Sequence, residues 1–355
     1  MIINRLPKTY DGYTLIVPNG PINSVSGDHS DEYAYLINMN KSVSHKWHFE
    51  GGFKHAILLD NGNLLCRTRA PRRILDSVVP IAGSSGSLVE LDWEGNIVWQ
   101  YHNSSIHHDF ERLDNGNTLV LAWEPIPNQV TYNIQGGTPQ LDDQMLMLGD
   151  KILEINQYGD IVWEWKSWEY LDFGYHKICP LENRIEWTHA NSIQLMSDGN
   201  ILLSFRNTNT LVIVSRADGS ILWEWGYGEL EHQHHPTEIG HGKIILLDNR
   251  PHEGNGARII TIDIAHKKIL SEYKGEPGNP FFAVHAGSVD QLPNGNLLIC
   301  QGSEGKAFEI DGAGNILWEY TNPYFIPNQL RELNNGLFRV HRYPSDHPLF
   351  ENKKL

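Results

Sequence analysis

The sequence predicts an all-β fold, a six-bladed β-propeller of four-stranded antiparallel blades, on three observations. A Leu-x-Asn-Gly-Asn-like turn recurs six times: Leu59-Asp-Asn-Gly-Asn63, Leu113-Asp-Asn-Gly-Asn117, Met196-Ser-Asp-Gly-Asn200, Ile239-Gly-His-Gly-Lys243, Leu292-Pro-Asn-Gly-Asn296 and Leu333-Asn-Asn-Gly336. A second hairpin ending in aromatic residues follows five copies, at 88–101, 152–165, 211–225, 259–273 and 307–320. Helical periodicity is nearly absent. Asn-Gly between apolar runs is a strong hairpin signal because both residues tolerate positive φ. Two hairpins per repeat make four strands, a to d, and repeats of that length read as propeller blades.

Five complete blades are expected, at roughly 53–101, 107–165, 189–225, 234–273 and 285–320, within a single domain spanning 1–355. The chain ends supply the sixth. Residues 13–49 read as outer strands without an inner one, and 328–342 as an inner hairpin without outer strands. Their pairing would close the ring and remove its exposed edges. Trp163, Trp223 and Trp318 recur in one context and are expected to pack between blades. Short a–b and c–d turns lie on one face. The long insertions (68–86, 124–150, 166–188, 226–233 and 274–284) gather on the other, where function is expected.

Composition narrows the functional classes. A net charge of −15 argues against a nucleic-acid partner or an anionic membrane surface. No apolar run has the length of a membrane span, and the first residues lack the apolar core of a signal peptide. Cys66, Cys179 and Cys300 are far apart and odd in number, which suits a reducing compartment. The cytoplasm is the expected location.

The histidines carry the chemistry. Alignment on the turns puts His108, Asn191, His234, Gly287 and Asn328 at one level of strand a, with Lys54 in the first full blade. His107, His189, His235, His285 and His55 are neighbours. Arg69 and Arg206 fall at matching places on strand b. The expectation is a ring of imidazoles with one or two guanidiniums at the elaborated mouth. Aromatic loops (Trp168, Tyr170, Phe173, Tyr175, Phe281, Phe282) would roof it. Such a cluster suits two chemistries. Three or four neutral imidazoles can hold a transition metal for a lyase, hydrolase or oxidoreductase. Alternatively one imidazole is a nucleophile, others move protons, and arginine stabilises an anionic group in transfer. Asp109 is the one carboxylate adjacent to the set, and the arginines disfavour a cation, so anion transfer without a metal is favoured. A non-catalytic ligand-binding propeller is the third reading.

Several segments resemble the bacterial arylsulfotransferases. They are Tyr13-Thr-Leu-Ile-Val, His107-His-Asp-Phe-Glu-Arg-Leu-Asp-Asn-Gly-Asn, Trp187-Thr-His-Ala-Asn-Ser-Ile, Ser204-Phe-Arg and Gln233-His, with Ala307-Phe-Glu-Ile-Asp-Gly-Ala-Gly-Asn-Ile-Leu-Trp-Glu-Tyr near the end. The resemblance implies a six-bladed propeller that moves a sulfuryl group from an aryl sulfate to a phenol through a sulfohistidine, without PAPS or another cofactor. It implies His234 as the nucleophile, with the adjacent His235 as the alternative. His108 and His189 would bind the sulfuryl oxygens or move protons, and Arg206 would offset charge in the transition state. Asn191, Arg69, His107, His235, His285, Trp168, Tyr175 and Phe281 complete the expected substrate-binding set. His285 is the member this mechanism explains least.

Overall fold

In four repeats the turn is held by an Asn or Asp side chain. The first Asn or Asp accepts from the backbone N–H two residues on, at 2.9 Å (Asn61, Asn115), 3.0 Å (Asp198) and 3.1 Å (Asn294). This is the local bond that makes Asx residues favour turns. The intervening glycines have φ between 84° and 89°. In three copies the last Asn reaches strand c: Asn63 Nδ2 to Glu90 at 2.7 Å, and Asn117 to Glu154 and Asn296 to Glu309 at 2.6 Å. The motif thus fixes a hairpin and ties it to the next.

The structure is a computed structural model and describes residues 8–19, 32–69, 83–138, 146–252, 254, 256–276, 279–327 and 333–355. Six four-stranded antiparallel sheets form the blades. Blade 1 comprises Phe53–Leu58, Leu64–Arg69, Ser85–Leu91 and Ile97–His102. Blade 2 comprises Ile106–Arg112, Thr118–Pro125, Leu148–Ile155 and Ile161–Lys166. Blade 3 comprises Ala190–Leu195, Ile201–Phe205, Thr210–Val214 and Ile221–Trp225. Blade 4 comprises His234–Glu238, Lys243–Asp248, Arg258–Asp263 and Lys268–Tyr273. Blade 5 comprises Ser288–Gln291, Leu297–Gln301, Lys306–Ile310 and Ile316–Thr321. Within each, strands run a to d in chain order.

Blade 6 corrects the expected closure. Its outer three strands are Gly12–Pro18, Tyr33–Ile37 and Val43–His48, and its inner strand is Leu337–Pro344 alone. Thr14 pairs with Arg342 and Ile16 with Val340. The C-terminal part therefore contributes one blade strand, not a hairpin. The sixth turn copy, at 333–336, precedes strand a instead of joining a to b. Asn328, aligned with the channel histidines, lies outside the described residues.

Six apolar clusters occupy the joints between neighbouring blades. Leu65 and Leu88 meet Ile106 and Val120 at the first joint, for example, and Ile16 and Val340 meet Leu298 and Trp318 at the last. Each fully buried aliphatic or aromatic side chain contributes about 1.5–3 kcal/mol. Strand-d tryptophans stitch the same joints, each donating its indole N–H to a carbonyl of the following blade's c–d turn. Trp99 reaches Gln157 and Trp223 reaches Ile264 at 2.9 Å; Trp318 reaches Met39 and Trp47 reaches Asp92 at 3.1 Å. In blade 2 the donor is Trp165, to Gly219 at 2.9 Å, while Trp163 packs against the blade 2–3 cluster.

The strand-c glutamates add charged stitches. Glu90 pairs with Arg112 at 2.8 Å, Glu154 with Arg216, and Glu309 with Arg342. Arg342 also donates to Thr14 Oγ1 at 2.9 Å and lies 4.3 Å over the Trp318 ring. Its partner Glu309 is fully buried. Removing one member of a buried pair strands the other charge. Arg342→Ala is therefore expected to destabilise the fold by about 3–5 kcal/mol, read as a lowered midpoint in chemical denaturation.

Candidate active site

Strand a begins at the elaborated mouth, and in several blades it begins with a bulge. Pairing slips between Ile106 and Phe110, Ala190 and Ser192, and His234 and Thr237. Beside these slips His108, His189 and His235 have positive φ, at 43°, 50° and 51°. A left-handed backbone is unusual for residues other than glycine and marks sites worth attention. Each bulge shifts the side-chain register, which re-aims histidines on the channel wall.

The result brings His108, His189 and His234 together. The rings of His108 and His189 have centroids 4.4 Å apart at 67°. His234 lies within electrostatic reach of both. All three are buried. The blade 3 residue at this level is His189, not the Asn191 that counting from the turn selects. Asn191 donates to the Gln233 carbonyl at 2.8 Å and its own carbonyl accepts from Arg339, so it braces strands.

Each imidazole is oriented by a different partner. His234 Nδ1 lies 3.0 Å from the His232 carbonyl and 2.8 Å from Asn249 Oδ1. Asn249 Nδ2 donates to the carbonyls of Ala283 and Ala286, which fixes its oxygen toward His234. Nδ1 therefore carries the proton, and Nε2 keeps its lone pair. Desolvation, then the charge of Arg206, holds the His234 pKa well below the ordinary imidazole value. His189 Nδ1 donates to the buried carboxylate of Glu186. His108 Nδ1 is 3.0 Å from His107 Nδ1, and His107 Nε2 is 3.0 Å from Asp150. His107 stacks on Trp123, with centroids 4.2 Å apart, so it stands behind the wall and orients His108.

Arg206 stands beside His234, His232 and His285. Its Nη1 donates to Glu182 at 2.9 Å and Asn207 at 3.0 Å. His285 is exposed at the rim. Arg67, which the sequence reading missed, is buried and donates through Nη1 to the Gly83 carbonyl at 2.7 Å and to Ser85. Burial lowers its pKa to about 9, partly offset by Asp109 and lowered further by Arg339. No carboxylate among the described residues pairs with it directly. Arg69, the expected guanidinium, lies at the end of its strand with its side chain outside the described residues.

A second layer lies deeper. Arg339, from the inner strand of blade 6, pairs with Asp109 at 2.8 Å and donates to the Asn191 carbonyl at 2.9 Å. His55 is 3.7 Å from Asp109. His235 Nδ1 contacts the Val289 carbonyl at 3.1 Å and neighbours Asp290 and His341. His55 and His235 thus belong to this layer and not to the upper ring.

Among the described residues, none of the expected roof aromatics makes a ring contact with the channel histidines. Trp168 donates to Glu124 at 2.7 Å and packs on the blade 2–3 cluster. Tyr170 stacks on Trp165, and Phe173 lies tilted against Trp187. Tyr175 meets His176 and Tyr227 beside the outer strand of blade 3. Phe281 is buried between Tyr273 and Phe308, and its neighbour Phe282 is exposed. Trp168, Phe173 and Phe281 pack into the apolar clusters between blades. Phe338 does lie against these histidines, 5.4 Å from His55 and 6.2 Å from His108 by ring centroids.

A propeller with imidazoles and guanidiniums converging from successive inner strands is the class that this fold and site define. The arylsulfotransferase (ASST) family profile matches residues 78–323, well over half the chain, and the protein belongs to that family. By structure it is similar to a protein of unknown function from Bacteroides caccae, at 15% identity over 93% of this chain and 98% of that one, with a TM-score of 0.58. It is also similar to virginiamycin B lyase from Staphylococcus aureus, at 13% identity over 93% and 96%, with a TM-score of 0.49. The likeness to the Bacteroides caccae protein shows a shared fold alone. No curated protein matches the sequence.

Proposed function

We propose that the protein is a PAPS-independent aryl-sulfate sulfotransferase that works by a ping-pong route through His234. The observation that carries this reading is the double acceptor on His234 Nδ1, which leaves Nε2 unprotonated between two other imidazoles and Arg206. Nε2 attacks the sulfur of an aryl sulfate. The N–S bond forms as the S–O(aryl) bond breaks, and the aryl oxygen leaves with the bonding pair. His189, with Glu186 behind it, donates a proton to that oxygen. In the second half a phenol gives its proton to His189 and attacks sulfur, and the N–S bond breaks. Phenols have an ordinary pKa of about 10, so a base is needed near neutrality.

Arg206 and Arg67 answer the charge on the sulfuryl oxygens, as guanidiniums do in phosphoryl transfer. Buried cations are normally paired, and a bound anion would complete Arg67. Arg206→Ala is expected to lower kcat by about 10²–10³-fold, with a smaller change in KM. Gly83 has φ +86°, and a Cβ there would stand 2.0 Å from the His108 ring. Gly83→Ala is therefore expected to displace His108 and cost about 10²-fold in kcat/KM.

The direct test is incubation with 4-nitrophenyl sulfate, with and without a phenol. Acceptor-dependent nitrophenolate release, with a sulfuryl mass adduct on the His234 peptide when acceptor is omitted, is the expected result. No release with any aryl sulfate and no adduct would reject the reading.

A further inference from the structure

Next to the channel, three donor side chains from three separate segments meet. Cys179 sits on Ile178–Asn183, His232 just before strand a of blade 4, and His252 just after strand b of the same blade. Cys179 Sγ is 3.1 Å from His252 Nε2 and 3.2 Å from His232 Nε2. All three donor atoms lie within 4.8 Å of one another. Glu182 places an oxygen 3.6 Å from His232 Nε2. Each donor is held by its backbone: Cys179 N to the Asn207 carbonyl at 2.7 Å, His232 N to Asn209 Oδ1 at 2.9 Å, and His252 N to Glu231 at 3.0 Å.

We propose that Cys179, His232 and His252 bind one divalent transition metal ion, zinc being the ion this donor set suits, with Glu182 or water in the fourth place. Thiolate and imidazole at tetrahedral zinc sit at about 2.3 and 2.05 Å, which puts sulfur and nitrogen about 3.6 Å apart. The present separations need to open by only about 0.4–0.5 Å to meet that requirement. Hydrogen bonding explains the cluster less well. A thiol can serve two rings only weakly, donating to one imidazole nitrogen and accepting from the other. A metal satisfies all three donors at once, and the thiol releases its proton to solvent on binding.

The site would also brace the nucleophile. The His232 carbonyl is one of the two acceptors on His234 Nδ1, and Asn249, three residues before His252, is the other. The ion would thus clamp both supports of His234 without touching substrate. Metal binding stands whether or not the sulfuryl-transfer reading does, because its readout requires no turnover.

The test uses the untagged full chain, stripped with chelator and titrated with Co²⁺. The expected result is one equivalent bound, with a thiolate-to-cobalt charge-transfer band and the intense visible bands of tetrahedral cobalt, displaced by Zn²⁺. Cys179→Ser should remove the charge-transfer band. His252→Ala, at an exposed position, should weaken Co²⁺ binding by at least about 100-fold while leaving the fold intact, so the test remains decisive if the serine variant does not fold. Absence of the charge-transfer band in the wild-type chain overturns the proposal, as does its persistence in Cys179→Ser or unchanged affinity in His252→Ala.

Discussion

His234→Ala is expected to reduce acceptor-dependent phenolate release to background, a loss of about 10⁴-fold or more, as removal of a covalent nucleophile does elsewhere. The companion variant is Asn249→Ala. It keeps the imidazole but removes one of the two groups that hold the proton on Nδ1. A nucleophile in the wrong tautomer is ineffective even when correctly placed. Asn249→Ala should therefore lower kcat by about 10–100-fold, the His232 carbonyl remaining as the second acceptor. Stopped-flow measurement of the first half-reaction reads both. Full activity in His234→Ala would move the nucleophile to another residue. His108 and His189 are then the candidates, because His235 lies a layer deeper.

Acid is expected to weaken the fold steeply. His55, His108, His232, His234 and His235 are buried with depressed pKa values, chiefly through desolvation; those of His232 and His235 fall to about 3. As pH drops below about 6.5 the unfolded chain protonates these rings while the native one does not. Their contribution is therefore fully present above that pH and is lost on acidification toward the folded values. Two buried carboxylates act oppositely: Glu111 is raised to about 7 and Asp248 to about 6, so both take up protons in the native state first. The histidines outnumber the two carboxylates, so unfolding takes up protons on balance. Stability therefore falls as the pH drops through 6 toward 5. Urea denaturation across that range measures it. A flat profile would mean that these imidazoles are hydrated or charged in the native state.

The repeat was legible because its cause is local. An Asx residue, a glycine at positive φ and a tethering Asn are written in consecutive positions at Asn61–Asn63 and its relatives. His108, His234 and Arg206 were legible by counting back or forward from those turns. Counting failed where the backbone departs from two-residue alternation. The bulge above Ser192 puts His189 at the level assigned to Asn191, and the bulge at His234 sends His235 downward. No sequence signal marks such a bulge. Arg339 and Phe338 were missed for another reason. The turn copy at 333–336 was read as joining strands a and b, although the alternating Leu337-Phe-Arg-Val-His-Arg run after it was the inner strand itself. The aromatic loops misled because length and composition do not say which apolar surface a loop must cover. Arg67 lay two residues from the predicted Arg69, on the same strand. The Cys179–His232–His252 group joins residues 73 apart at the most distant, and nothing along the chain links them.

The inner strand of blade 6 also sets a timetable. Every proposed reacting histidine precedes Leu337–Pro344 in the chain, whereas Arg339, the cation paired with Asp109, lies on that strand. Until Leu337–Pro344 slots between Gly12–Pro18 and the channel, the nascent chain holds a buried carboxylate without its counter-ion and a ring with a gap. A chain lacking Leu337–Pro344 is therefore expected to lose both the inner strand of blade 6 and the counter-ion of Asp109.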